Sequence, residues 1–331
     1  MFFEITCILA AIVIGALYFL TKQNKREKID FHGKHVVITG GSSGIGYDLS
    51  IEAARQGAHV SVIARNRDKL NEVKKVLEDI RKKAGTEDSQ IIQIESVDIS
   101  KSFEDTKAAF ERLAKNAGPV DILINNAGTS KCAEFSEAPI QDFEELMRVN
   151  YIGGVYCTKS VIPSMKSRKF GRVLFVSSQA GQIGIFGYTA YSASKFALRG
   201  LVEALQMEVK PYNIYITLSF PPDTDTPGFK EENLTKCEET RIISESSGLS
   251  ASKDVAKGIL QSIKKGNFFN YFGINGFLLC TLTAGAAPVT NLKDAFLEIM
   301  TLPLARLVAL GLLFNFDSIV KSCHKKKVKS N

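Results

Sequence analysis

The chain has 331 residues, of which 45% are hydrophobic and 23% are charged, and its net charge at pH 7 is +7. This balance predicts a globular protein with a sizeable core. The six cysteines form no CxxC pair and the four histidines match no ligand spacing, which argues against a disulfide framework and against a metal site. Basic clusters at both ends flank apolar segments without interleaved aromatic residues, which favours a membrane over a nucleic-acid partner.

The first segment of the chain has the length of a membrane span. Residues 2–20 are apolar apart from Glu4, and about 20 such residues cross a bilayer. A basic run over residues 22–28 follows, while a cleaved secretory signal would need a basic start and a small-residue cleavage site. We therefore predict a transmembrane anchor over residues 1–21 and a basic linker over residues 22–32. The positive-inside rule then places the rest of the chain in the cytosol.

Beyond the linker, six apolar and β-branched runs alternate with segments of helix length. The runs are HVVITG, AHVSVIAR, IIQIESVDI, VDILINNAG, RVLFVSS and IYITLSF. Continuous apolar strands separated by helices indicate a parallel sheet covered on both faces. We predict an α/β fold with a Rossmann-type, doubly wound parallel sheet, in one domain over residues 33–266.

The first predicted strand runs into a glycine-rich turn, TGGSSGIG, which opens the first helix. Glycines in such a turn let the backbone approach a pyrophosphate, which the helix N-terminus attracts with its amide groups and its dipole. A plain loop can have the same composition, but this turn lies between a buried strand and a helix. We predict cofactor contacts from Gly40, Ser42, Ser43, Gly44, Ile45 and Gly46.

The end of the second strand, VIARN, indicates which nicotinamide cofactor is bound. Arg65 stands where an NAD site has an acidic residue for the ribose hydroxyl. A guanidinium there suits a 2′-phosphate, and Lys69 lies one helical turn further on. The alternative is that Arg65 is an ordinary surface arginine, but the acidic residue of an NAD site is missing beside it. The pattern favours NADPH.

Two further strands end in residues that suit the ligand-binding edge of a doubly wound sheet. Asp98 ends the third strand, and it either accepts a hydrogen bond from the adenine amino group or caps the next helix. The fourth strand ends in NNAG, from which we predict cofactor contacts by Asn126, Ala127 and Gly128.

A tyrosine and a lysine supply the predicted chemistry. Tyr191 and Lys195 are four residues apart on a predicted helix, so their side chains share one face. A free phenol has a pKa near ~10, and an ammonium one turn away lowers this pKa. Ser177 and Ser178, at the end of the fifth strand, offer a hydroxyl for a substrate carbonyl oxygen. Together these groups predict an acid–base site for carbonyl reduction.

The motifs TGGSSGIG, NNAG, RVNYIG, VSS and YSASK occur in the order typical of the short-chain dehydrogenase/reductase family, which the chain resembles over nearly all of residues 33–266. The resemblance implies a catalytic tetrad of Asn150, Ser178, Tyr191 and Lys195. It implies that the tyrosine exchanges a proton with the substrate oxygen and that the lysine lowers the pKa of the tyrosine and holds the nicotinamide ribose. Tyr191 and Lys195 are thus both predicted to contact the cofactor. The asparagine would support a water that links the lysine to solvent.

The loop after the sixth strand departs from the family pattern. It reads FPPDTDTPG, with Pro222 where the family usually has glycine. Proline stiffens this loop. The resemblance still implies cofactor contacts from Pro221, Thr224 and Thr226.

A closer likeness within the family runs from SSQAGQIGIFGYTAYSASK through PPDTDTPGF to APVT and FDSIV near the C-terminus. It is to a branch that reduces 3-ketosphinganine, a long-chain sphingoid ketone, to sphinganine with NADPH at the cytosolic face of the endoplasmic reticulum. The likeness implies a membrane-bound ketoreductase of sphingolipid synthesis, with residues 33–266 as its NADPH-binding catalytic domain. Two alternatives stay open: a steroid or retinoid dehydrogenase of the same family, and a catalytically silent protein that senses the nucleotide.

Residues 267–331 are strongly apolar and end in a basic tail. Polar residues and glycines interrupt the stretch 268–289, and Pro303 interrupts the stretch 302–316. We predict interfacial or re-entrant helices, or a cover over the active site, rather than clean spans. The final KVKSN is either a dilysine retrieval signal or an ordinary basic tail. The oligomeric state stays open, with a homo-oligomer among the alternatives.

Overall fold

The computed structural model describes residues 15–16, 18–19, 26–245, 248–290 and 292–330. The predicted anchor over residues 1–21 lies almost entirely outside the described residues, as do residues 22–25 of the predicted linker. The anchor therefore stays a prediction.

The described residues form a seven-stranded sheet and a separate two-stranded ribbon. The strands are β1 (His35–Thr39), β2 (His59–Ala64), β3 (Ile92–Ser96), β4 (Ile122–Asn125), β5 (Gly171–Val176), β6 (Ile214–Ser219), β7 (Thr224–Asp225), β8 (Ser250–Ala251) and β9 (Phe269–Asn270). The sheet has the order β3-β2-β1-β4-β5-β6-β9, and each pair of neighbours is parallel. β7 and β8 pair with each other. The predicted doubly wound, Rossmann-type α/β fold is confirmed.

Helices connect the strands and cover the sheet. They are α1 (Gly44–Arg55), α2 (Arg67–Ala84), α3 (Phe103–Ala117), α4 (Ile140–Met147), α5 (Gly153–Arg168), α6 (Thr189–Val209), α7 (Pro227–Thr235), α8 (Glu238–Glu245), α9 (Ser252–Lys265), α10 (Gly273–Leu282) and α11 (Leu292–Ser330). A π-helical turn, Arg148–Ile152, joins α4 to α5.

Strand β1 shows why the strands of this sheet are continuous apolar runs in the sequence. Its side chains alternate between faces, and all five residues are buried. Val36 and Ile38 pack with residues of α1, α2 and α9, whereas Val37 packs with residues of α3, α5 and α6. Because both faces are covered, there is no solvent side on which polar residues would alternate.

The order of the strands reverses between β1 and β4. From β1 the chain proceeds outward to β2 and β3, and from β4 it proceeds to the other edge. Loops at the carboxyl ends of parallel strands diverge at such a reversal and leave a crevice. The fold thereby brings the predicted cofactor residues, which follow these strand ends, to one edge of the sheet.

Part of the predicted linker is folded against the unit that contains the sheet. The Arg26 guanidinium donates hydrogen bonds to the carbonyl oxygens of Ile216, at 3.1 Å, and Gly266, at 2.8 Å. Phe31 is fully buried in the core. The packed unit therefore includes residues that precede the predicted start of the domain at Gly33.

The C-terminal segment forms one long helix. α11 has 39 residues, contains Pro303 in its interior and packs against α10 and α8. The sequence pattern treats Pro303 as an interruption, yet the helix continues past it. A proline removes one backbone hydrogen bond, and the other bonds of the surrounding turns remain.

The outer side of α11 is strongly apolar. Its exposed side chains include Phe296, Ile299, Met300, Leu304, Leu307, Leu310 and Phe314. The most apolar 18-residue window within Asp294–Lys329 has a mean hydropathy of 1.8 and is 11% buried. By length and composition alone, this helix can cross a membrane, and it is the one such helix in the described part of the chain.

Replacing Phe31 with alanine tests whether residues before Gly33 belong to the folded unit. The side chain is fully buried, so Phe31→Ala should lower the free energy of unfolding by about 3–5 kcal/mol. Urea unfolding in detergent measures the change. The matched control is Phe135→Ala, since Phe135 is 69% exposed. This substitution should lower the free energy of unfolding much less. Equal losses in both variants would contradict the packing described here.

Candidate active site

A groove of about 1020 Å³ runs along the carboxyl edge of the sheet, where the strand order reverses. Loops that follow β1, β2, β4, β5 and β6 line it. Sixteen of the predicted cofactor residues contribute to its walls: Gly40, Ser42, Ser43, Gly44, Ile45, Arg65, Lys69, Asp98, Asn126, Ala127, Gly128, Tyr191, Lys195, Pro221, Thr224 and Thr226. The seventeenth, Gly46, is not among the lining residues.

The glycine-rich turn is closely packed. Gly40 has φ +65° and Gly44 has φ +54°, left-handed values that favour glycine. A Cβ on Gly46 would lie 2.3 Å from the Gly40 carbonyl oxygen. Gly46 therefore permits the close packing of the turn, and its contact with the cofactor stays a prediction.

The N-terminus of α1 is suited to an anion. In this fully described segment, no side chain caps the helix and no acidic residue lies in its first turn. The first amide groups of a helix have no partner within the helix and carry the positive end of its dipole. The turn and the helix start thus fit the pyrophosphate of a dinucleotide.

Asn126 and Thr39 join the ends of β4 and β1. The Asn126 side-chain amide donates to the Thr39 carbonyl oxygen at 3.1 Å, and the backbone amides of Asn126 and Ala127 donate to the Thr39 hydroxyl, both at 3.1 Å. Asn126 therefore shapes the wall of the groove with its side chain. Thr39 opens the TGGSSGIG motif, but its own role could not be predicted from the sequence, because that role depends on a contact between two distant strands.

The part of the groove beside the ends of β2 and β3 has exposed cations. Arg65 and Lys69 are both exposed where β2 ends and α2 begins. Asp98 accepts hydrogen bonds from the Ser100 amide at 3.0 Å and the Ser100 hydroxyl at 2.6 Å. Burial raises the pKa of Asp98, but these hydrogen bonds and the Arg65 charge outweigh burial, so the net shift of the pKa is downward. Asp98 is therefore an ionised carboxylate that caps the turn and also lines the groove.

Helix α6 holds Tyr191 and Lys195 side by side, as their spacing predicts. The Lys195 ammonium lies 5.8 Å from the centre of the Tyr191 ring and donates a hydrogen bond of 3.0 Å to the Val176 carbonyl oxygen. Because Val176 is the last residue of β5, this bond fixes the helix to the carboxyl edge of the sheet.

The two serines after β5 have different environments. The Ser178 hydroxyl accepts a hydrogen bond from the Ala180 amide at 3.2 Å and lies close enough to Tyr191 to lower the pKa of its phenol. The Ser177 hydroxyl instead donates to the Lys195 carbonyl oxygen at 3.1 Å and is buried. Ser178 is thus the serine that faces the tyrosine, and Ser177 supports the helix.

Asn150 lies behind Gly128 in the π-helical turn. Its side-chain oxygen accepts from the Thr129 amide at 2.8 Å, and its amide donates to the Ser194 hydroxyl at 2.9 Å. A Cβ on Gly128 would lie 3.1 Å from the Asn150 side-chain oxygen and 3.2 Å from the Lys195 ammonium. The four tetrad residues are therefore brought together, although Asn150 does not line the groove itself. The hydroxyl of Ser194 is a partner that the sequence analysis missed.

Burial dominates the electrostatics of the pair on α6. It lowers the pKa of Lys195 to about 8. It also raises the pKa of Tyr191, a shift that Ser178 reduces and that the charges of Glu232 and Asp223 increase. The sequence pattern predicts a lowered pKa for this tyrosine. The opposite direction arises because both groups are withdrawn from water and the nearby carboxylates disfavour a phenolate.

A second cavity, of about 460 Å³, is also lined by Tyr191. Apolar side chains from the loop before α6 and from helices α8, α10 and α11 line it, among them Ile183, Ile185, Ile243, Leu278, Leu282 and Leu312. It shares Ser178, Tyr191, Pro221, Asp223 and Glu232 with the groove. The two spaces therefore meet at these five residues, which include the serine and the tyrosine.

Comparison with known proteins agrees with this architecture. A profile of the short chain dehydrogenase family matches residues 34–236. The chain is 47% identical over 319 residues to 3-dehydrosphinganine reductase of Danio rerio, with 96% of this chain and 95% of the relative covered. It is 48% identical over 313 residues to 3-ketodihydrosphingosine reductase of Bos taurus, covering 95% and 93%. With the 3-ketodihydrosphingosine reductase of Dictyostelium discoideum it shares 36% identity over 332 residues, covering 97% and 96%.

The region matched by the family profile includes the glycine-rich turn, the tyrosine–lysine pair and the loop after β6. The relatives align over both the sheet and the C-terminal helices, since they cover nearly the whole chain. The chain therefore belongs to the short-chain dehydrogenase family of oxidoreductases, whose cofactor is a nicotinamide dinucleotide.

Proposed function

We propose that this enzyme reduces the ketone of 3-ketosphinganine to the alcohol of sphinganine with NADPH. The observation that carries the proposal is the meeting of two spaces at Tyr191 and Ser178: a polar groove for the dinucleotide and an apolar cavity for a long chain. The names of the similar proteins point to the same substrate. A cavity of this size is within the range that holds small ligands, and its apolar lining suits an alkyl tail.

Tyr191 is the proton donor in this proposal. Its pKa is raised by burial, so the hydroxyl keeps its proton at neutral pH and can give it to the carbonyl oxygen. The Ser178 hydroxyl lies beside it and donates a hydrogen bond to the same oxygen. When bound, the nicotinamide supplies the hydride that the carbonyl carbon accepts.

Lys195 has two roles in the proposal. Its ammonium faces the same region as Tyr191 and stabilises the phenolate that remains after proton transfer. It also lies in the groove, where it would hold the nicotinamide ribose. Asn150 positions the Thr129 backbone and Ser194 next to the lysine, and in our proposal it supports the water through which the proton is replaced.

The preference for NADPH rests on the charges at the end of β2. Arg65 and Lys69 are exposed cations in the groove, and Arg65 takes the place of the acidic residue that binds a ribose 2′-hydroxyl. Two cations suit the extra negative charge of a 2′-phosphate. The glycine-rich turn would hold the pyrophosphate, and Pro221, Thr224 and Thr226 would contact the nicotinamide end.

Residues 33–266 act, in this proposal, as the NADPH-binding catalytic domain, and residues 267–331 cover the substrate and associate with the membrane. The exposed apolar side of α11 supports this division. The same helix lines the substrate cavity with its inner side, so a lipid-like ketone could enter from the bilayer. We place the enzyme at the endoplasmic reticulum membrane with its catalytic domain in the cytosol, as the basic residues after the predicted anchor favour.

Removing the Tyr191 hydroxyl tests the function. Tyr191→Phe should lower the turnover of 3-ketosphinganine with NADPH by about 10²- to 10⁴-fold, because no group remains to give the proton. Mass spectrometry of sphinganine formed in proteoliposomes measures this loss. The matched control is Tyr212→Phe, a tyrosine 37% exposed at the far end of α6, and it should retain wild-type turnover. Undiminished turnover in Tyr191→Phe would refute the assigned role.

Neutralising Arg65 tests the choice of cofactor. Arg65→Ser should lower kcat/KM for NADPH by about tenfold or more, because a charge-assisted hydrogen bond to phosphate is lost. The kcat/KM for NADH should barely change. Arg67→Ser is the control, since Arg67 is an exposed arginine that does not line the groove. A parallel loss with both dinucleotides would count against a 2′-phosphate contact.

The absence of tryptophan from the chain allows a direct test of membrane contact. A single tryptophan introduced by Leu307→Trp, on the exposed side of α11, should be quenched by phospholipids with brominated acyl chains. A tryptophan introduced by Phe135→Trp, at a loop position that is also exposed, should not be quenched. Similar fluorescence of the Leu307→Trp protein in brominated and ordinary vesicles would contradict insertion of α11.

A further inference from the structure

Charged side chains meet at the junction of the two cavities, beside the candidate catalytic hydroxyls. Asp223, in the loop after β6, and Glu232, on α7, line both spaces together with Tyr191 and Ser178. Both carboxylates are close enough to Tyr191 for their charges to raise its pKa. Any substrate whose carbonyl oxygen reaches Tyr191 therefore lies next to them.

Glu232 is neutralised within the protein. The Lys236 ammonium lies 2.9 Å from its carboxylate, and the Lys236 side chain is fully buried. The Tyr188 hydroxyl and the Ser130 hydroxyl also donate hydrogen bonds to Glu232. This carboxylate thus has a counter-ion and several donors, as a buried charge requires.

Asp223 is placed differently. Its carboxylate accepts a hydrogen bond from the Ser244 hydroxyl, and within the described residues no lysine or arginine forms an ion pair with it. Burial raises the pKa of Asp223, Ser244 and Lys236 counteract this shift, and Glu232 adds to it. Two carboxylates therefore share one ammonium, and a further cation at the junction would balance their charge.

We propose that Asp223 is the counter-ion for the ammonium group of the substrate and thereby selects ketones with an amino group beside the carbonyl. This inference rests on the proposed function. In 3-ketosphinganine the amino group is on the carbon next to the carbonyl carbon, so an oxygen bound at Tyr191 and Ser178 brings the nitrogen to the same junction. Steroid and retinoid carbonyl compounds have no such ammonium, and an N-acylated sphingoid ketone has lost its charge.

The test compares two ketones that differ in the amino group alone. Wild-type enzyme and Asp223→Asn are assayed with 3-ketosphinganine and with 1-hydroxyoctadecan-3-one, which lacks the amino group. Asp223→Asn should lower kcat/KM for 3-ketosphinganine by at least about tenfold, because a hydrogen-bonded ion pair is lost. It should affect the desamino ketone far less. A rise in the KM of Asp223→Asn for 3-ketosphinganine, with little change in kcat, would show that Asp223 acts on substrate binding.

A nearby aspartate provides the control. Asp225 is in β7, two residues further along the chain, is half exposed and pairs with Lys230 at 3.1 Å. It does not line either cavity. Asp225→Asn should leave the ratio of the two kcat/KM values at the wild-type level.

The outcomes separate this inference from the proposed function. The ammonium contact is refuted if Asp223→Asn lowers kcat/KM for the two ketones by the same factor. It is also refuted if the wild-type kcat/KM for 3-ketosphinganine is no higher than for the desamino ketone. In both cases the reductase activity stands. If the wild type reduces neither ketone, the proposed function fails as well. Should Asp223→Asn not fold, Ser244→Ala, which removes the hydroxyl that orients Asp223, should show a smaller loss confined to the amino ketone. Equal effects of Ser244→Ala on both ketones would then overturn the inference.

Discussion

The hydrogen bond from the Lys195 ammonium to the Val176 carbonyl oxygen ties the reactive helix to the sheet. It fixes α6 against the carboxyl end of β5, and Ser177 reinforces the same contact from the strand side. Burial lowers the pKa of Lys195, and no carboxylate within the described residues counteracts this shift. The ammonium is held by a carbonyl oxygen and lies 5.8 Å from the centre of the Tyr191 ring, which is the basis of the electrostatic role that we propose for it.

This anchoring explains why two dissimilar spaces meet at one point. The groove follows from the reversal of strand order, since the loops after β1 and β4 diverge there. The C-terminal helices form much of the wall of the apolar cavity, and their outer side is exposed. The tyrosine therefore lines both a polar groove and an apolar cavity. A shared family fold can in this way acquire a lipid-like substrate through its C-terminal segment.

Much of this arrangement was predictable from the sequence because it is encoded locally. Alternating apolar strands and helices predicted the doubly wound sheet, and the four-residue spacing placed Tyr191 and Lys195 on one helix face. Side chains whose neighbours are distant in sequence were not predictable in the same way. The role of Gly46 in packing depends on Gly40 and Asn126. The carboxylates Asp223 and Glu232 come close to Tyr191 only in the folded chain, where the loop that follows β6 and the helix α7 line the same cavity as Tyr191.

The direction in which the pKa of Tyr191 is shifted could also not be predicted from the sequence. The spacing of the tyrosine and lysine suggests a lowered phenol pKa, but the depth of burial and the nearby carboxylates reverse this direction. A tyrosine that keeps its proton is suited to giving it to a ketone oxygen, which accords with reduction. The continuity of α11 through Pro303 is a further case, because the surrounding turns and the packing on α10 compensate for one missing hydrogen bond.

The most direct test of the account is a side-by-side measurement of kcat/KM for 3-ketosphinganine, a steroid ketone and retinal, with NADPH and the wild-type enzyme in proteoliposomes. We expect efficient reduction of 3-ketosphinganine, with kcat/KM about 10²-fold above either of the other two, because it is the one of the three that carries an ammonium for the proposed contact with Asp223. Equal or greater efficiency with the steroid or with retinal would contradict the account.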